Sequence, residues 1–296
     1  MRKIGLTLAT FVVVVAPAAH AKPLTQDVEY LRVAYPTARG VQVDAYAFEK
    51  MPLADKLKVV HPDVGPNPGH TSSEWAGRFV KSFLAETKHE FSPNADVVLV
   101  GSDNYEAQLS AGVVMSEDVL LAVARDGERL PWMKGGNYTV FGAATKDPRY
   151  LRPGYWVWQL TAILIGELPP TLQVRNENTK NVLDLRTIAG RTERLGRRSI
   201  SVGIRDRAMP GAEQIKLGIL SLHDLAVAAG APKAKLLSFG TYNGWHFDVD
   251  PSKDSYEAIF AWDGAAIPAA FGGPVQLCAK APPFDCKFFV STVEVK

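Results

Sequence analysis

Cysteine is nearly absent, with only Cys278 and Cys286 in 296 residues. Two sulfurs with no histidine beside them cannot make the four-ligand shell that a structural zinc needs. Excess charge is missing as well. Lys and Arg number 33 against 31 Asp and Glu, and losing Arg2 and Lys3 with a leader would bring the two counts level. A neutral chain lacks the basic footprint expected of a nucleic-acid binder. Long apolar runs are confined to the N-terminus. The stretch from Ile4 to Ala18 falls short of the ~20 residues that span a bilayer. No nucleophile elbow, His-Glu-x-x-His zinc helix, phosphate loop or dinucleotide fingerprint occurs. No pair of carboxylates stands apart as a glycosidase dyad would.

What is present begins with that N-terminus. Arg2 and Lys3, the apolar run, and then Ala19-His20-Ala21 before Lys22 read as a secretory signal peptide over residues 1–21. Cleavage after Ala21 and a periplasmic location are the expectations. No spanning segment remains after cleavage. In an oxidising compartment Cys278 and Cys286, eight residues apart, can form a disulfide or stay as two thiols. A bridge closing so short a loop stabilises by only ~2–3 kcal/mol.

A repeat runs through the remaining chain at an offset of 137 residues. The segment Leu121 to Pro131 lies over Ala258 to Pro268 without a gap. Asp126-Gly127 falls on Asp263-Gly264, Pro131 on Pro268 and Gly135-Gly136 on Gly272-Gly273. Asp-Gly after an apolar run predicts a tight hairpin, since glycine accepts positive φ. Each copy also has one predicted helix. Glu74 to Glu86 carries Trp75, Phe79, Phe83 and Leu84 at helical spacing, and Leu222 to Ala229 follows a Ser221 cap and precedes Gly230. Apolar strands then lead to two polar turns, Ser102-Asp103-Asn104-Tyr105 and Tyr242-Asn243-Gly244-Trp245. Each copy ends on an aromatic, β-branched run, Trp156 to Ile163 and Phe288 to Val295, which predicts a strand. Prolines 169 and 170 place the linker there, dividing the chain into 22–168 and 169–296. The fold class expected is α+β, mainly β with short helices, in two tandem domains.

The second copy resembles the molybdopterin-binding domain of the sulfite oxidase family. The residues that carry the likeness are Ile219 to Ala231, Tyr242-Asn243-Gly244-Trp245, Ala261 to Pro268 and Gly272-Gly273-Pro274-Val275. The first copy, through Arg149 to Leu160, is similar to a short periplasmic, non-catalytic branch of that fold. Some members of the branch bind pterins and report them to membrane proteins. The likeness covers residues 70–165 and 170–295. It implies a pterin or molybdopterin-like ligand, or a periplasmic or membrane protein as partner.

Two departures weigh against redox chemistry. Catalytic members hold molybdenum through a cysteine thiolate upstream of the helix, and Arg191 to Lys216 has none. A soft thiolate is the group that anchors such a metal. The arginine expected after the Gly-Gly-Pro is Gln276. The alternative, a divergent molybdopterin-dependent oxidoreductase, would have to manage without both.

For a ligand site, Trp156 and Trp158 alternate, and on a strand they share one face, where two indoles can stack on a planar ring or anchor a partner. Arg149 and Arg152 lie just upstream. In the resembling fold the two turns border the ligand cleft, which adds Asp103, Asn104, Tyr105, Tyr242, Asn243 and Trp245. Core packing for the indoles and plain turn chemistry are the competing readings. His61, Asp63 and His70 match no metal motif. Seven arginines between Arg186 and Arg207 form either a solvated strand pair or a dock for an anionic partner.

Overall fold

The computed structural model describes residues 25–59, 73–89, 92–115, 119–130, 138–141, 156–176, 179–188, 191–196, 214–262, 264–279 and 286–296. In chain order the first half contains β1 (Thr25–Gln26), β2 (Tyr30–Thr37), β3 (Gly40–Ala47), β4 (Asp55–Val59), β5 (Ser73–Phe79) and α1 (Val80–Glu86). It continues with β6 (Asp96–Gly101), β7 (Glu106–Ser110), α2 (Ala111–Val114), β8 (Val119–Arg125), β9 (Glu128–Arg129), β10 (Tyr138–Phe141) and β11 (Leu160–Ile165). The second half runs β12 (Thr171–Asn176), β13 (Thr179–Asp184), β14 (Arg191–Gly196), β15 (Gln214–Ser221) and α3 (Leu222–Ala228). After it come β16 (Leu237–Thr241), β17 (Trp245–Val249), β18 (Tyr256–Trp262), β19 (Ala265–Ala266), β20 (Gln276–Ala279), β21 (Cys286–Lys287) and β22 (Val290–Val295). The molecule is mainly β, with several sheets and few helices.

The pairings in the first half recur in the second. One sheet has the order β3-β2-β11-β6-β7, and its counterpart reads β13-β12-β22-β16-β17. In both, the first strand meets the last in parallel, β2 with β11 and β12 with β22, while the other pairs are antiparallel. A second sheet has the order β10-β8-β5-β4, with β9 on β8; its counterpart is β14-β15-β18-β20-β21, with β19 on β18. Each contains a register shift at a glycine, beside Gly77 and beside Gly218. One strand crosses over: β1, from the first half, pairs with β17 of the second.

Alternating apolar residues on these strands, with residues of α1 or α3, fill two cores. The first holds Leu31, Trp75, Leu84, Leu99, Leu120, Trp156 and Ile163, and the second Leu172, Leu225, Phe239, Phe247, Leu277 and Val293. A third joins the halves. Ala34, Val98, Val100, Ala162 and Leu164 project from the first-half sheet onto Tyr242, Ala270 and Phe289. Each fully buried leucine or phenylalanine contributes about 1.5–3 kcal/mol.

Two expected elements differ. The helix expected over Glu74 to Glu86 is a helix only from Val80; Ser73–Phe79 is a strand held between β4 and β8. Being covered on both faces, it has no period-2 signature, and its aromatic spacing mimics a helical stripe. The terminal strand expected from Trp156 starts only at Leu160, because Gln159 has φ 45°. Phe289, at φ 59°, breaks the run in the second half in the same way before Val290.

A polar seam borders the first core. His89 Nε2 lies 2.9 Å from the Tyr46 hydroxyl and 3.7 Å from Asp44 Oδ2, while Tyr35 donates to Asp44 at 3.1 Å. Burial pulls the His89 pKa down, and the Asp44 charge opposes this only in part. The unfolded imidazole therefore takes up a proton near pH ~6.5 that the folded one resists. This stability is present above that pH and is lost as pH falls through it. The denaturant midpoint should drop from pH ~7 to ~5, less steeply in His89→Gln. Parallel curves for the two proteins would show that His89 plays no part.

Candidate functional site

The two polar turns occupy matching places, one between β6 and β7 and the other between β16 and β17. In the first, Asn104 takes φ 64°, and Asp103 Oδ1 accepts from the Tyr105 amide at 2.9 Å. This is a self-bonded Asx turn. In the second, Gly244 takes φ 87° and the Thr241 hydroxyl donates to Asn243 Oδ1 at 2.7 Å. Behind each turn, the residue that breaks the last strand offers its carbonyl. Ser102 N donates to Gln159 O at 2.9 Å, and Tyr242 N to Phe289 O at 2.8 Å.

The structure brings these turns against each other. Asn243 Nδ2 donates to Asn104 Oδ1 at 2.8 Å and to Gly101 O at 3.3 Å, and Trp245 Nε1 donates to Ser102 O at 2.8 Å. Gln26, on the crossing strand, bridges them by donating to Ser102 O and Asn243 O, both at 3.1 Å. The Asp27 amide donates to Gly244 O at 2.9 Å, and Arg32 pairs with the Asp27 carboxylate at 2.6 Å. Glycine is required at the close approach: a Cβ on Gly244 would lie 2.5 Å from Asp27 O. Asn243 is fully buried, so its bonds exchange with no water.

Asn104, Asn243 and Trp245 spend their polar groups on a joint between the halves. Tyr242 is buried in the joining core, where burial pushes its phenol pKa well up. Tyr105 packs against the first core, and Asp103 is exposed at the rim. The indoles also part company. Trp156 is 3% exposed and packs edge-on against Trp75 at 6.3 Å, while Trp158 is 48% exposed. They do not share a face, because the chain there is no strand. Arg149, Arg152, His61, Asp63, His70 and the signal segment lie outside the described residues. Of the arginine run, Arg186 is exposed and bound to Asp184 at 2.6 Å.

Two features escaped the sequence reading. Gln26 and Asp27 as a strap across the joint leave no local signal. A cavity of about 820 Å³ also opens between the halves, where Tyr35, Asp96 and Glu167 face the 265–270 segment.

Cys278 and Cys286 are bonded to each other across the β20–β21 hairpin. Neither sulfur is a thiolate, and no group of three His, Cys, Asp or Glu residues converges among the described residues. This donor set does not fit a thiolate-held molybdenum.

No protein-family model matches the chain, and no curated protein matches it either. Among solved structures it is similar to the sulfane dehydrogenase SoxCD from Paracoccus pantotrophus, with 12% identity. That match covers 89% of this chain and 70% of that one, at a TM-score of 0.34. A likeness of this size speaks to neither activity nor ligand. No helix among the described residues is long and apolar enough to cross a membrane.

Proposed function

We propose that this chain is an exported binding or adaptor protein, built from two tandem sulfite-oxidase-like domains at 22–168 and 169–296, with no metal redox chemistry of its own. One observation carries the reading: both sulfurs of the chain are consumed by one disulfide. The recurring order of strand pairing supports the duplication. A division at Pro169 and Pro170 is compatible with the strands, since β11 ends at Ile165 and β12 begins at Thr171. In a periplasmic setting the disulfide is stable, as the reading requires.

The docking surface we propose is the rim of the joint, centred on Trp158, with Asp103 nearby on the turn that Trp158 O approaches at Gly101. One half-exposed indole beside the joint, with Trp156 buried, suits a protein partner better than a sandwiched planar ring. Tryptophan at the centre of such a patch often dominates binding, costing ~2–4 kcal/mol on truncation. Trp158→Ala should therefore weaken partner capture from the native periplasm and membranes about 30-fold or more while leaving the unfolding midpoint unchanged. Equal capture by both proteins would remove the surface from the proposal. Tryptophan quenching by added pterin, lost in Trp158→Ala, would put a planar ligand there instead. Molybdenum co-purifying stoichiometrically from the native compartment would overturn the non-redox reading.

A further inference from the structure

We propose that the cavity between the halves binds a small organic cation, an amine or quaternary ammonium carrying a hydrocarbon body. The space measures about 820 Å³, within the range of small-molecule sites, which favour the seams between domains. Strand alternation explains how it forms. On β6, Val97 and Leu99 enter the first core, whereas Val98 and Val100 face the second half and belong to the joining core. Asp96 stands one step further along that same face, where the joining core gives way to the cavity. Across from Val98, β7 offers Gln108, set between Ala107 and Leu109 of the first core. On β11, Ala162 and Leu164 join the halves. Gly166 comes next on that face, and its amide donates to the Asp96 carbonyl at 2.7 Å. Lacking a side chain, Gly166 leaves the space before it open; a Cβ there would meet only the Pro36 ring, at 3.7 Å.

The opposite wall comes from the second half. It is the segment Ala265 to Ala270, four alanines with Ile267 and Pro268, a smooth hydrocarbon surface for the body of a ligand. Charge then selects the head. Asp96 and Glu167 both line the space, and no Lys, Arg or His is among its described lining residues. Glu167 does feel the positive charge of Arg186. That guanidinium, however, is already gripped by both carboxylate oxygens of Asp184, the nearer at 2.6 Å. Three carboxylates against one guanidinium leave the surroundings negative. An ammonium head compensates them, whereas an anionic head would be repelled. The inference is independent of the Trp158 surface.

The test is a calorimetric titration of the full chain with octylamine and octyltrimethylammonium, and then with octanol and octanoate. One or both cations should bind a single saturable site, at least about tenfold tighter than octanol, with octanoate weaker still. The double variant Asp96→Asn/Glu167→Gln changes two exposed positions. It should weaken cation binding about tenfold and leave the octanol signal unaffected. Gln108 is exposed on an edge strand, so lysine is tolerated there and sets an ammonium of the protein's own in the cavity. Gln108→Lys should weaken cation binding about tenfold or more. Trp158→Ala should bind as the parent does. Absence of a saturable signal from both cations, or equal affinity for octanol, would overturn the proposal. So would parent-like cation binding by either cavity variant, or loss of binding in Trp158→Ala.

Discussion

Alanine at Gly77 is expected to destabilise the protein by about 4 kcal/mol or more, a severity reserved for changes the structure cannot absorb. The added Cβ would stand 1.9 Å from the carbonyl oxygen of Leu121 and 3.2 Å from the Cα of Ala122. Both are backbone atoms of β8, the strand paired to β5 on that side. Relief requires β5 and β8 to separate where Ala76 and Gly77 shift register, and that breaks ladder bonds in the middle of a sheet. Gly218 stands on the other side of the corresponding register shift in the second half, where Ile219 takes the place of Gly77, and its added Cβ would meet the Ala261 Cβ and the Phe260 ring at 3.0 Å. A ring can tilt where a carbonyl cannot. Gly218→Ala should therefore cost only about 1–2 kcal/mol. Urea midpoints of the two variants give the comparison, and equal losses would show that the two bulges are held alike.

The second large effect is expected at Arg78. Its side chain is buried, pairs with Asp55 Oδ2 at 2.8 Å and reaches Glu86 at its other end. The same Asp55 oxygen accepts the Phe79 amide at 2.9 Å, which fastens β4 to the start of α1. Arg78→Met would leave a largely buried carboxylate with that amide alone, and breaking such a pair from one side costs about 3 kcal/mol. Glu86 is 59% exposed, so Glu86→Gln should change stability by no more than about 0.5 kcal/mol. Replacing Asp55 by Asn together with Arg78→Met should cost less than the sum of the single changes, because no charge is then stranded. Additive losses would show that the pair is not coupled.

How far each element could be read locally depended on where its partners lay. Asp126 and Gly127 take φ 50° and 86°, the primed hairpin that Asp-Gly announces. Ser221 caps α3 as expected, accepting from Asp224 N at 3.1 Å, because a cap is made within four residues. The Cys278–Cys286 bridge was one of two local alternatives, and the β20–β21 hairpin places the sulfurs opposite each other. Reading failed where burial erased the alternation, at Ser73–Phe79, and where a single positive φ cut a run of strand-favouring residues, at Gln159. The repeat in the sequence pointed to matching turns but not to what each would touch.

By itself, then, the sequence determined the Asp126-Gly127 hairpin, the α3 cap and the polar character of the two turns. All of these rest on propensities and hydrogen bonds between residues close in the chain. Only the tertiary structure decided that Asn243 would look at Asn104, 139 residues away, that Gln26 would strap the joint, and that Trp156 would enter the core while Trp158 faced outward. Those outcomes depend on which surfaces the halves present to each other when apolar residues such as Tyr242 and Phe289 leave water together. No local pattern in either half records that choice.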